Sequence, residues 1–286
     1  VDRPTIEIRT QDGNRAPSVT AKGSPVSKAF VELTGDIAEV IISAPPLNLF
    51  DLTTTADVEV ALAETGALVR DGRARAVILR AEGDVFCAGV DVHEFQGLSS
   101  SEGASFMARL LTLTQSMEAL PVPTMAVVHG LNLTIGFELT LGCDLLWAAD
   151  EASFGLVEAT VGLTPGAGGT QRLAARAGVA RAAEFVMTGD VYPARELQEW
   201  GVVNRLRPAA DLLPEARAFT SRLAAGPTVA LAVAKRLLQA TRDHGVAAAD
   251  ALTPRETGPI FATRDAAAGF ASLLEKGPGQ ATFEGR

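Results

Sequence analysis

The segment His129–Asp150, HGLNLTIGFELTLGCDLLWAAD, constrains the fold more than any other part of the chain. It is almost wholly apolar, it is punctuated by glycine, and it carries one glutamate, Glu138, in its middle. An ionised carboxylate in such surroundings has to be paired, hydrogen-bonded or shifted in pKa, because bare burial costs several kcal/mol or more. A buried acid with no basic neighbour in sequence is a candidate for chemistry. The segment is long enough to raise a transmembrane reading. Asn132, Glu138, Asp144 and the interior glycines argue against it, and a buried helix followed by a strand fits better.

The flanking sequence supplies strands and helices in alternation, which argues an α/β class. Phe30–Thr34, a Gly35-Asp36 turn and Ile37–Ser43 read as a hairpin. Pro45-Pro46 ends it, and Asp51 is placed to cap a helix from Leu52 to Arg70. Ala76–Arg80 reads as a buried strand. A second helix opens in the polar stretch Leu98–Glu102 and stops at Pro121-Val122-Pro123. Thr124–His129, Asp144–Ala149 and Ala152–Phe154 read as further strands. A strand–turn–strand–helix unit thus recurs at Phe30–Arg70 and Ala76–Met117, and its third copy, Met125–Asp144, contains Glu138. Beyond Arg205 the pattern is helical and alanine-rich, at Pro214–Ala224, Val229–Arg242 and Arg264–Lys276. Three regions are expected: a leader over residues 1–28 without periodicity, a core over 29–206, and a C-terminal helical region over 207–286.

Composition narrows the function. The 286 residues are 47% hydrophobic and 21% charged, enough to bury a sizeable core. A net charge of −9 gives no general attraction for nucleic acid or an anionic membrane. Two cysteines (Cys87, Cys143) and three histidines do not cluster at metal-ligand spacing, so no metal site is expected. Both cysteines lie in apolar segments, where free thiols are common. The first residues lack an apolar signal core, so a cytoplasmic setting is expected.

A second acid among apolar residues is Glu158, in the run Phe154–Gly162. Paired acids in a dry pocket suit general acid–base work, because their environments can separate their pKa values. The same residues also fit acids on amphipathic elements, or acids salt-bridged to an arginine such as Arg172. Glycine turns lie beside both. Ala88-Gly89-Val90-Asp91 and Gly130–Gly136 could present backbone N–H groups to a developing anion, or serve as ordinary turns. A third cluster, Gly162–Arg172, is neither a P-loop nor a dinucleotide fingerprint, and reads as a loop leading into a helix at Thr170.

In combination these motifs resemble the crotonase superfamily, and most of all its enoyl-CoA hydratases. The resemblance is carried in order by Phe86-Cys87-Ala88-Gly89-Val90-Asp91, His129-Gly130 with Glu138 and Cys143-Asp144, Phe154-Gly155, Pro165–Leu173, Thr188-Gly189-Asp190 and Trp200–Val203. It runs from about Phe30 to Phe283. It implies a spiral of ββα repeats with a C-terminal helical trimerisation region, giving a homotrimer or a dimer of trimers. It implies an acyl-CoA thioester substrate, with coenzyme A as part of that substrate and no other cofactor. The thioester oxygen would lie between the backbone N–H groups of Val90 and Ile135. Glu138 and Glu158 match the two glutamates that hold and activate water. Pro46 and Leu47 match backbone that meets the adenine, Lys276 matches a lysine near the nucleotide phosphates, and Ala88, Gly89, Asp91, Gly136 and Phe137 line the substrate site.

The chain also departs from this pattern. Thr134-Ile135-Gly136 stands where hydratases run three glycines, and a positive φ at Ile135 would be strained. Phe137 occupies a usually small position and is expected to narrow the acyl site. Val157 replaces a common proline, and His93 stands where a lysine often meets the CoA phosphates. A weaker CoA grip and an unusual acyl preference are expected. Isomerisation, hydration coupled to cleavage of an aromatic enoyl-CoA, and binding without turnover are the alternatives on the same scaffold.

Overall fold

The computed structural model describes residues 27–286. Apart from Ser27 and Lys28, the leader expected at 1–28 lies outside the described residues. Lys28 already belongs to the core: its N–H donates to Asp57 (2.7 Å) and its carbonyl accepts the N–H of Ser43 (2.7 Å).

The first repeat is β1 (Ala29–Thr34), β2 (Ile37–Ile42) and α1 (Leu52–Arg70). Asp51 caps α1 as expected, accepting the N–H of Thr54 at 2.7 Å. The second is β3 (Ala76–Ala81) and α2 (Ser100–Glu118). Its expected second strand is reduced to isolated bridges at Cys87 and Val90. Ser99 and Glu102 close α2 with reciprocal side-chain-to-backbone bonds. The third is β4 (Thr124–Val128), β5 (Leu131–Leu133) and α3 (Ile135–Leu141). There follow β6 (Leu145–Ala149), β7 (Ser153–Gly155), α4 (Gly169–Ala177), α5 (Val179–Thr188), β8 (Val191–Pro193), α6 (Ala194–Glu199) and β9 (Arg205–Arg207). The chain ends in α7 (Ala209–Ala224), α8 (Thr228–His244), α9 (Val246–Thr257) and α10 (Arg264–Lys276).

The main sheet runs β1-β2-β3-β4-β6-β9, antiparallel only at β1–β2, and a smaller sheet runs β5-β7-β8. Strands β2 and β4 are buried at every position, as parallel strands covered on both faces must be. Helix α7 supplies part of that cover: Phe219 packs 5.1 Å from Trp147 of β6, and Arg217 reaches Glu39 of β2. Glu39 is fully buried, and its carboxylate accepts from both Arg80 (2.7 Å) and Arg217 (2.6 and 2.8 Å). Burial alone would raise its pKa; the two guanidinium groups hold it below the usual carboxylate range.

Helix α7 begins at Ala209, upstream of the expected start at Pro214. The proline falls inside the helix, in its second turn, where it removes the N–H that would otherwise bond the Ala210 carbonyl. Helix α9 and strands β8 and β9 were not expected. Each is short or alanine-rich and lacks a periodic apolar signal. The C-terminal tail folds back on the helical region. Asp265 accepts the N–H groups of Glu284 (2.7 Å) and Gly285 (2.9 Å), and Arg75 holds the carbonyls of Gly226 (2.6 Å) and Phe283 (3.2 Å).

Candidate active site

All seven residues of α3 are buried, so Glu138 lies inside the molecule. Its Oε1 accepts two backbone N–H groups, from Ala167 and Gly169, each at 2.8 Å. Gly169 has to be glycine there, because a Cβ would lie 2.6 Å from Glu138 Cγ. Burial pushes the Glu138 carboxyl up to about 7, against the opposing pull of the two amides and the more distant charge of Arg172. The alternative of a direct salt bridge to Arg172 is not what forms: Arg172 pairs with Glu118 at 2.5 Å. The glycine cluster Gly162–Arg172, read from sequence only as a loop, therefore supplies the acid's hydrogen-bond donors. The available signal was that a buried acid needs such donors and a glycine-rich loop exposes them.

Glu158 opens a 3-10 turn, Glu158–Val161, beyond β7. It is half-buried, and its Oε2 is enclosed without a hydrogen-bond partner among the described residues. Burial, and secondly the nearby charge of Glu138, push its carboxyl up to about 8. The two acids are thus brought into one electrostatic unit, with Glu138 the better stabilised as an anion.

Two backbone segments run side by side next to them. The Cys87 N–H donates to Leu131 (3.1 Å) and its carbonyl accepts from Leu133 (2.8 Å), pairing Cys87 with Asn132. Val90 and Ile135 each lie three residues beyond that pair. Neither of their N–H groups donates to a protein acceptor among the described residues. Their directions are nonetheless fixed, because the opposite end of each peptide is held. The Gly89 carbonyl accepts Phe50 N–H at 2.9 Å, and the Thr134 carbonyl accepts Glu138 N–H at 2.8 Å. A trans peptide points its N–H away from its carbonyl.

The expected strain falls one residue earlier than the sequence reading placed it. Ile135 is helical, while Thr134 has φ 47° and ψ −122°. A β-branched residue in that region is an outlier that the surroundings must enforce. The Thr134 N–H donates to Gly155 (2.8 Å), and its hydroxyl packs on Gly89, 2.6 Å from where a Cβ would stand. Gly136 is locked likewise: a Cβ would lie 2.4 Å from Cys87 Cβ. Phe137, expected from the sequence to narrow the acyl site, points its ring into the core. Its ring is fully buried, 5.0 Å from Phe154 and 5.7 Å from Phe185, and fills the core.

The Pro46-Leu47 turn is brought to the same place. Leu47 accepts the N–H of Ala88 at 2.9 Å. Buried Asn48, missed in the sequence, pins the turn by accepting from Ala44 (2.7 Å) and donating to Glu82 (2.8 Å) and Val85 (2.7 Å). Its signal was an asparagine in a Pro-rich turn, since Asn tolerates the φ of 49° found there. Asp91 caps a 3-10 turn at Val92–Phe95, accepting the N–H of His93 at 3.0 Å, and His93 is exposed. Val157 directly precedes Glu158 without capping its turn through a side chain. Lys276 ends α10, exposed, and no hydrogen bond or ion pair among the described residues ties it to the other nominated positions.

Known proteins resemble this arrangement over nearly its whole length. The family model described as enoyl-CoA hydratase/isomerase matches residues 32–286. A probable enoyl-CoA hydratase of Bacillus subtilis is 30% identical over 242 residues, covering 84% of this chain and 93% of the relative. The human mitochondrial enoyl-CoA hydratase domain-containing protein 2 is 36% identical over 221 residues, 75% of this chain and 76% of the relative. The crystal structure of an enoyl-CoA hydratase from Bacillus anthracis superimposes with a TM-score of 0.84 at 28% identity, covering 91% of this chain and all (100%) of the other. With the fold, the paired acids and the matching length together, the chain belongs to the enoyl-CoA hydratase/isomerase family.

Proposed function

We propose that the protein adds water across the C2–C3 double bond of an enoyl-CoA thioester. The observation that carries this reading is the pair Glu138 and Glu158, the first accepting two amide N–H groups and the second enclosed without a partner among the described residues, with burial raising both carboxyls above the ordinary range. Burial and the repulsion of one carboxylate by the other oppose ionising both, so one carboxyl serves as the base and the other as the acid. Glu138, with two amide donors, is the carboxylate; Glu158, whose Oε2 has no hydrogen-bond partner among the described residues, is the acid.

The reaction then balances with these groups alone. Glu138 takes a proton from water as its oxygen bonds to C3. The electron pair of the double bond moves toward C2, and charge collects on the thioester oxygen as an enolate. The N–H groups of Val90 and Ile135 meet that oxygen. One such donor is worth about 3–4 kcal/mol in comparable sites. Glu158 delivers its proton to C2, and proton exchange between the two carboxyls restores the starting state. Only a proton and a hydroxyl are transferred, which calls for no redox cofactor.

The CoA moiety belongs, on this reading, against the Pro46-Leu47 turn and the Ala88–Asp91 segment, with Gly136 behind the thioester. Lys276 is assigned to the nucleotide phosphates, and the assembly to a homotrimer or a dimer of trimers. Residues 207–286 serve as the assembly region. Among the described residues no helix is long and apolar enough to cross a membrane, and a cytoplasmic setting is part of the proposal.

The test is loss of the enoyl-thioester ultraviolet absorbance when the protein is added to crotonyl-CoA and to longer and aromatic enoyl-CoAs, with the product identified. No consumption of any of them rejects the hydratase reading. A shifted double bond or a cleaved product assigns one of the other family reactions. Glu138→Gln and Glu158→Gln should each lower kcat by about 10²–10⁴-fold.

A further inference from the structure

Cys87 has no part in the reaction as written, yet it is fully buried between the two segments that carry the proposed donors. Its main chain bonds Leu131 and Leu133. Its sulfur accepts the N–H of Gly89 at 3.3 Å, one residue before Val90. The same sulfur lies against Gly136, one residue after Ile135, 2.9 Å from where a Cβ would stand. Gly89 is gripped from its other side by the Thr134 side chain, and its carbonyl by Phe50 N–H. One sulfur atom therefore touches the neighbours of both donor residues, on two segments far apart in sequence.

We infer that Cys87 is a positioning residue that fixes the aim and separation of the Val90 and Ile135 N–H groups, an inference that rests on the acyl-CoA reading. A sulfur suits the place because it is large enough to reach both segments and accepts weakly, so it orients a peptide without drawing its N–H out of line. It also has to remain neutral, since a thiolate here would repel an enolate forming on the far side of the same peptides. Burial secures this by pushing the thiol up to about 12.

The readout that separates aiming from packing is the carbonyl stretch of bound butyryl-CoA, whose saturated chain cannot add water. Difference infrared spectra are recorded for the wild type, Cys87→Ala and Cys87→Ser, together with crotonyl-CoA kinetics and thermal melts. The wild type should shift the thioester carbonyl to lower frequency than in free butyryl-CoA. Cys87→Ala should return it part of the way, lower kcat by about tenfold, and leave KM within about twofold, since binding through the nucleotide is untouched. Cys87→Ser, which keeps an acceptor, should recover part of both. A wild-type shift that Cys87→Ala reproduces in full, at unchanged kcat, overturns the assignment whatever happens to the melting temperature. A wild type that leaves the butyryl-CoA carbonyl unshifted overturns the assignment and the acyl-CoA reading together.

Discussion

Thr134 holds a backbone conformation that only glycine adopts without cost, and its buried hydroxyl has no hydrogen-bond partner among the described residues. Strain of this kind costs about 1–3 kcal/mol, and glycine gives back about 1 kcal/mol in chain entropy. Thr134→Gly should therefore raise stability by about 1 kcal/mol, read as a higher midpoint in denaturant. The two glutamates make a pH prediction of definite sign. Both folded-state carboxyls lie above the unfolded value near 4.5. The folded state then binds more protons than the unfolded state between that value and about 8. Their contribution is fully present below pH 4.5 and is lost as pH rises through 7 and 8. Stability of the wild type should fall over that interval relative to the Glu138→Gln/Glu158→Gln double variant, in melts at matched ionic strength.

At the scale of elements, the local pattern was most legible where periodicity and punctuation agree. Asp51 before α1, Pro121 to Pro123 after α2, and the apolar runs of β3, β4 and β6 place those elements from sequence. Strands β8 and β9 are three residues each, and such short pieces exist only because an edge of a sheet is there to pair with. The acids and the glycine turns were visible as residue types. Their partners were not: Ala167 and Gly169 find Glu138 across 29 and 31 positions, a relation that spacing does not encode. Asn48 and Cys87 were hidden likewise, since a buried Asn and a buried Cys look ordinary until their neighbours are known. Two element-level predictions follow from particular contacts. Gly169→Ala would force Glu138 off its amide donors and should lower kcat by at least about tenfold. Glu39→Ala strips the shared carboxylate from Arg80 and Arg217, which joins β2 to α7; it should cost about 3–5 kcal/mol, measured by urea denaturation.

Across the whole molecule, large apolar side chains are exposed in several places, the C-terminal helices among them. Leu274 is 87% exposed and Phe261 73%, with Leu238, Phe270 and Leu273 also bare in the C-terminal region. Phe261 and Phe270 lie together, 6.2 Å between ring centroids, and exposed apolar surface that is contiguous marks interaction sites. The double variant Phe261→Ser/Leu274→Glu should shift the protein toward monomer in sedimentation velocity, if the region assembles subunits as proposed. Three contacts of one kind surround the candidate site: Thr134 against Gly89, Cys87 against Gly136, and Glu138 against Gly169. In each, a side chain occupies the volume that the facing residue leaves empty. The order in which these positions can change is therefore restricted. A glycine that gains a side chain first meets an occupied space, whereas a partner that shrinks first leaves only a void. Saturation libraries at each pair should return replacements at the glycine only in clones whose facing residue has already become smaller. Two of these three routes open only by surrendering the acid or the brace, so inherited change at this site is channelled toward Thr134.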